Sequence, residues 1–178
     1  LDRAADTPYA CLLLSRLTGR DDVVFGETVN GRPAEIPGIE TMVGLFINTL
    51  PVRVRTERGD TLRTLVTRLQ EQQFELMPHK YLGLTDIQRI TGTGARFDTS
   101  TEFSNYPVDA EGLEQTAEGL GIVDARIEDG THYPLALGAS DNGEVVSLKI
   151  DYRADVYDDA TARALGERLR EILEAFAA

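Results

Sequence analysis

Apolar positions along the chain repeat with two different periods, and the changes of period mark out its elements. Tyr9, Leu12, Leu13 and Leu17 fall at helical spacing, which predicts a first helix with Thr7 as N-cap, Pro8 at its first position and Gly19 at its stop. A strand is expected over residues 23–29, opened by Asp21-Asp22 and broken by the turn Asn30-Gly31-Arg32-Pro33. A second strand is expected over residues 45–55. It starts as a continuous apolar run and ends in the alternation Val52-Arg53-Val54-Arg55, so one end should be buried on both faces and the other half exposed. Thr61 is placed to cap a helix with the apolar stripe Leu62, Leu65, Val66, Leu69, Phe74 and Leu76, which Pro78 ends. A short helix over residues 84–90 stops before the loop Thr91-Gly92-Thr93-Gly94. Next come a strand over residues 97–106 that Pro107 terminates, an acidic, Gly- and Ala-rich surface loop over 108–121, and strands over 122–127, 134–139 and 145–152. Asp141-Asn142-Gly143 joins the last two as a hairpin. The chain closes on a helix from Asp158 with Leu165, Leu169, Ile172, Leu173 and Phe176 on one side.

This order gives an α/β fold, a mixed sheet of about six strands packed with helices, as one unit over residues 1–178. A domain of this length buries roughly 70% of its unfolded surface, enough for a real core. No apolar run approaches the roughly 20 residues that cross a bilayer, and no secretory pattern opens the chain, so the cytoplasm is the expected location. A start at Leu1 fits a piece of a longer polypeptide. The single cysteine, Cys11, lies in the run Tyr9-Ala10-Cys11-Leu12-Leu13-Leu14 and reads as a small core residue.

Charge narrows the partners. The net charge of −12 comes from 18 basic and 30 acidic residues, but residues 1–97 carry 12 of each and residues 98–178 carry 6 and 18. That sign is wrong for a nucleic-acid partner. A solvated acidic surface is the plain account; the sharper one is that Arg53, Arg55, Arg58, Arg63 and Arg68 face an acidic partner.

Self-contained chemistry is hard to find. There is no GxSxG elbow and no GxxxxGK[ST] phosphate loop. His79 and His132 stand far apart without cysteines, so a metal site is not expected. Either histidine could serve as a base, or simply bond backbone at a loop end. No carboxylate pair can be singled out among 30 acidic residues. The residues alone describe an α/β domain without a self-contained active site.

Three stretches add more. Leu14-Ser15-Arg16-Leu17-Thr18-Gly19-Arg20-Asp21-Asp22-Val23-Val24-Phe25-Gly26, followed by Val29-Asn30-Gly31-Arg32-Pro33, is the first. Met42-Val43-Gly44-Leu45-Phe46-Ile47-Asn48-Thr49-Leu50-Pro51-Val52-Arg53 is the second, and Phe97-Asp98-Thr99-Ser100-Thr101-Glu102-Phe103-Ser104-Asn105-Tyr106-Pro107 the third. Between the last two, His79-Lys80-Tyr81-Leu82-Gly83-Leu84-Thr85-Asp86-Ile87-Gln88 sits where a short helix is due. In order and spacing these resemble the signature motifs of the C-terminal lobe of a nonribosomal peptide synthetase condensation domain, and the second is similar to the family pattern [IV]-G-x-F-[VI]-N-T-x-x-x-R.

The resemblance implies one lobe of a chloramphenicol-acetyltransferase-like fold, in antibiotic-type peptide biosynthesis. The HHxxxDG motif that carries the presumed base belongs to the other, N-terminal lobe; His79 and His132 do not match it and inherit no role. The implied reaction is attack of an acceptor amine on a donor thioester. Both substrates ride on phosphopantetheine arms of donor and acceptor peptidyl carrier proteins, next to an adenylation domain. No cofactor is expected to bind this chain directly, and no membrane partner is implied. As tunnel- or substrate-lining candidates the resemblance points to Asn48, Gly44, Ser100 and Ser104, and as structural motif residues to Arg53, Arg32 and Asp98. Asn48 could equally tie down neighbouring backbone. Ser100 and Ser104 share one face of their strand and Thr99 and Thr101 the other, with the tunnel side left open. The alternatives are a carrier-protein or interdomain docking module without chemistry, and the matching lobe of an epimerization or cyclization domain.

Overall fold

The computed structural model describes residues 6–32, 35–92, 96–104, 131–141 and 145–177. In chain order they form α1 (Asp6–Thr18), β1 (Asp22–Asn30), β2 (Ile47–Arg55), α2 (Leu62–Leu76), α3 (Leu84–Thr91), β3 (Thr99–Ser104), β4 (Leu135–Asp141), β5 (Val146–Tyr152) and α4 (Asp159–Ala177). Short 3-10 turns occupy Ile39–Thr41 and Met77–His79.

The strands make one mixed sheet in the order β2-β1-β3-β4-β5. β1 pairs antiparallel with β2 and parallel with β3; β4 pairs parallel with β3 and antiparallel with β5. Five strands are therefore seen among the described residues. The sixth, expected over 122–127, lies outside them, as do the loop over 108–121 and the hairpin residues Asn142 and Gly143. The hairpin pairing itself is present, with Asp141 opposite Val146.

One face of the sheet is apolar. Val23 and Phe25 of β1, Leu50, Val52 and Val54 of β2, and Leu135 and Leu137 of β4 point the same way and are buried against α1, α2 and α4. Each such side chain contributes about 1.5–3 kcal/mol on burial. α1 lies between α2 and α4 and also touches β1 and β3. It is covered on three sides, so Thr7 to Leu14 are buried almost without interruption rather than along a single stripe.

Local signals set the element ends. Thr61 and Thr64 form a reciprocal capping box at the start of α2. Asp158 Oδ1 accepts the Thr161 N–H at 2.7 Å at the start of α4. Gly19, at φ +65, ends α1 in the left-handed region that favours glycine.

Four expectations need correction. α1 begins at Asp6, so Thr7 lies inside it, and its buried hydroxyl accepts a hydrogen bond from Gln73 Nε2 at 2.8 Å instead of capping the helix. β2 starts at Ile47, and its apolar beginning is the exposed end: Leu45 is 88% and Ile47 55% exposed, because β2 lies at the edge of the sheet among the described residues and only its even positions face the helices. Phe74 is 79% exposed. At about 100° per residue it stands opposite the buried Leu65 on α2. β3 starts at Thr99, two residues later than expected. Leu165, Leu169 and Ile172 of α4 are buried as expected, while the side chain of Phe176 lies outside the described set.

Candidate functional site

Arg32, Gly44, Asn48 and Ser104 gather at the end of the sheet where β1 finishes and β2 begins. After Asn30 the chain turns, and Arg32 holds the following loop in shape. Its guanidinium donates to the carbonyls of Ile39 and, at 2.9 Å, Met42, and stacks on the Phe46 ring at 4.0 Å. The Gly31 N–H donates to the Phe46 carbonyl, an approach so close that a Cβ on Gly31 would meet that oxygen at 2.9 Å. With its polar backbone drawn inward, the loop turns apolar side chains out: Val43 is 101% exposed and Leu45 almost as much. Gly44 sits between them, exposed, with the Phe46 ring as its near neighbour.

Asn48 is fully engaged. Its Nδ2 donates to the Lys80 carbonyl at 2.8 Å and the Leu82 carbonyl at 2.9 Å, and its Oδ1 accepts the Thr49 N–H at 2.9 Å. A side-chain amide has two N–H donors, and both are spent on carbonyls 32 and 34 residues away. Asn48 thus fixes the segment between α2 and α3 against β2. A narrow cleft of about 70 Å³ lies beside this contact, between Glu27, Asn30 and Leu50 on the sheet and Gln73, Met77 and Lys80 across from it. Gln73 bridges the cleft wall to α1, donating at 2.8 Å to both Glu27 and Thr7. Met77 on the cleft wall is exposed, as are Phe74 and Tyr81 on either side of it in sequence.

β3 divides the serines from the threonines as its period requires. Thr99 and Thr101 pair level with Leu135 and Leu137 and face the helices, and Thr101 Oγ1 donates to the Gly26 carbonyl at 3.3 Å. Ser100 and Ser104 face the other side of the sheet, opposite Ala136 and Ser140. Ser100 is buried at 8% exposure. The Phe97 ring lies on that side over Gly26, whose partner in β3 is Ser100, and packs on Tyr133 at 5.3 Å between ring centroids. Because β3 runs parallel to β1, Ser104 lies toward the same sheet end as Asn30.

The remaining candidates stand at the opposite end. Arg53 forks onto Asp22, Nε to Oδ1 at 2.8 Å and Nη2 to Oδ2 at 2.7 Å, and Arg55 Nε joins Oδ2 at 2.9 Å. The Arg53 hydrogen bond, opposed by partial desolvation and reinforced by Arg55, holds the Asp22 carboxyl down at about 2. Asp98 is exposed, takes the Thr99 hydroxyl at 3.3 Å and shares a groove with Asp22. Gly44, Asn48, Ser104 and Arg32 are therefore grouped at one end of the sheet, Ser100 lies beneath Phe97, and Arg53 and Asp98 belong to the other end. The sequence reading missed the apolar surface made by Phe74, Met77 and Tyr81. Its only signal was the helical phase of Phe74, which is out of step with Leu65 and Leu69.

His79 ends the 3-10 turn after α2, and His132 is exposed just before β4. Among the described residues no group of three His, Cys, Asp or Glu could hold a metal ion, and no helix is long and apolar enough to cross a membrane.

With this geometry in place, comparison with known proteins is decisive at the level of family. The family model described as Condensation domain matches residues 8–178, and the chain belongs to that family. Surfactin synthase subunit 3 of Bacillus subtilis (strain 168) is 40% identical over 159 residues, which is 89% of this chain and 12% of that protein. Bacitracin synthase 3 of Bacillus licheniformis is 34% identical over 167 residues, 92% of this chain and 3% of that protein. Among solved structures, the starter condensation domain of rhizomide synthetase RzmA superposes with a TM-score of 0.73 at 22% identity, over 96% of this chain and 40% of that one. The first condensation domain of the CDA synthetase gives 0.72 at 22%, over 92% and 37%. The fold is thus that of condensation domains, and the chain spans only a small part of its curated relatives.

Proposed function

We propose that this chain is the C-terminal lobe of a condensation domain that forms peptide bonds between carrier-borne substrates. In this reading it supplies one wall of the substrate tunnel, while the N-terminal lobe supplies HHxxxDG and its base. The observation that carries the proposal is the unpartnered apolar end, with Val43, Leu45, Phe74 and Tyr81 each more than three-quarters exposed. Isolated apolar residues are normal on a surface, but several large ones at one end of a sheet mark a face built to be covered. This chain matches about 40% of those solved condensation domains, which is consistent with a second lobe in the reading proposed here.

The division of labour follows. Arg32 shapes the loop that meets the other lobe, and Asn48 holds the 80–82 segment against the strand that leads into it. Gly44, Asn48 and Ser104 lie close enough to that end to border a tunnel; Ser100 contributes from beneath Phe97. Donor and acceptor carrier proteins bring their phosphopantetheine arms into the tunnel, and the adenylation domain sits alongside. No group in this chain is assigned as base.

The test is association with a separately produced N-terminal lobe, followed by calorimetry. Saturable 1:1 binding that Val43→Asp/Leu45→Asp weakens at least about tenfold supports the reading. Absence of binding to the lobe, together with saturable binding of a carrier protein by this chain alone, would replace it with the docking-module reading.

A further inference from the structure

The end of the lobe remote from the apolar surface has a different character. Every cation before Lys80 in the sequence is an arginine, and most of them meet here although the chain as a whole carries −12. A chain of contacts runs across this end. Asp22 bridges Arg53 and Arg55, the Arg55 carbonyl accepts Arg68 Nη2 at 2.6 Å, and Arg68 forks onto Asp60 at 3.1 and 2.7 Å. These pairs engage Asp22 and Asp60, and although Asp21, Glu57 and Asp98 also belong to this end, guanidiniums on either flank make no hydrogen bond or ion pair among the described residues. Arg20 and Arg96 line a groove of about 460 Å³ on one side of Asp22, together with Asp98. Arg58 and Arg63 flank Asp60 in the turn before α2 and in its first helical turn. A second groove, of about 360 Å³, lies between Arg53, Arg55, Arg68 and Gln72.

We infer that this arginine face docks a short acidic segment of a protein partner, whose carboxylates take the places left open at Arg20, Arg96, Arg58 and Arg63. Carboxylate is the favoured chemistry because the face already recognises it: Arg53 and Arg68 each grip a carboxylate with a planar fork, the geometry that distinguishes arginine from lysine. A short segment is favoured over a long polyanion. The positive patch acts within a Debye length of about 8 Å, whereas a nucleic acid would also meet the surplus of acids over bases in residues 98–178. This inference does not depend on the condensation reading, since it concerns the opposite end of the lobe.

The experiment titrates a fluorescein-labelled deca-glutamate peptide with the full 178-residue chain and follows anisotropy at several salt concentrations. Arg20→Glu/Arg96→Glu and Arg58→Glu/Arg63→Glu are compared with Arg168→Glu on α4, and circular-dichroism melts confirm that each variant folds. Saturable binding that weakens with salt, drops at least about tenfold in each double variant and is unchanged in Arg168→Glu supports the face. No binding, an equal loss in Arg168→Glu, or tighter binding of a ten-nucleotide single strand through the same arginines would overturn it.

Discussion

Asn48 and Lys80 are joined across 32 residues of sequence by a 2.8 Å hydrogen bond from a strand side chain to a loop carbonyl. With the matching bond to Leu82, it makes Asn48 the clamp between β2 and the segment that leads into α3. Asn48→Ala removes both donors and leaves two carbonyls to find water. The expected cost is about 1–3 kcal/mol in urea unfolding. Asn48→Asp should cost more, because a carboxylate then faces two carbonyl oxygens. Equal stability of all three proteins would show that the clamp carries no weight.

Gly26 leaves room for the Phe97 ring. A Cβ there would overlap the ring and come within 2.8 Å of the Thr49 methyl. Gly26→Ala should therefore destabilise by about 1–3 kcal/mol. In Phe97→Ala the same change should be much milder, and a double-mutant cycle measures the coupling. Simple additivity would mean that the ring does not occupy the glycine's space.

Burial pushes the Cys11 thiol up to about 11, against a small opposing hydrogen bond with Ser15. Its folded value lies above the ordinary thiol range near 8.5, so the neutral form favours the fold, and that contribution falls as pH rises from about 8.5 through 11. At pH 8 the native protein should react with a thiol reagent at least about 100-fold more slowly than the protein in urea, for an opening cost near 3 kcal/mol. Rapid native labelling would contradict the buried placement.

Asp22 behaves in the opposite sense. Its folded value, near 2, lies below the ordinary carboxylate value of about 3.9, so its contribution is complete above pH 4 and is lost as pH falls through 2. Asp22→Asn should flatten the acid limb of the stability curve in that window, and the difference should shrink in high salt because the pair is exposed. Identical acid limbs would remove Asp22 from the account.

Much of this architecture was legible in the sequence because it is written locally. The Thr61 cap, the start of the last helix at Asp158, the Gly19 stop and the alternation of Val52 and Val54 each depend on neighbours within a few residues. What stayed hidden depends on residues far apart in the sequence. Thr7 looked like a cap because the donor to its hydroxyl, Gln73, lies 66 residues on. The apolar start of β2 looked doubly buried because hydrophobicity alone does not say which neighbours the fold will bring to a residue, and Leu45 and Ile47 are left exposed. The roles open to Asn48 could be named from its type and setting; only the fold shows that its two donors end on Lys80 and Leu82.

The central claim is that this lobe completes a catalytic domain, and product formation tests it most directly. The chain and a separately produced N-terminal lobe carrying HHxxxDG are mixed with donor and acceptor thioesters on their carrier proteins, and dipeptide is sought by mass spectrometry. The account predicts dipeptide in the mixture and none with either lobe alone. A stable complex of the two lobes that forms no product would contradict it.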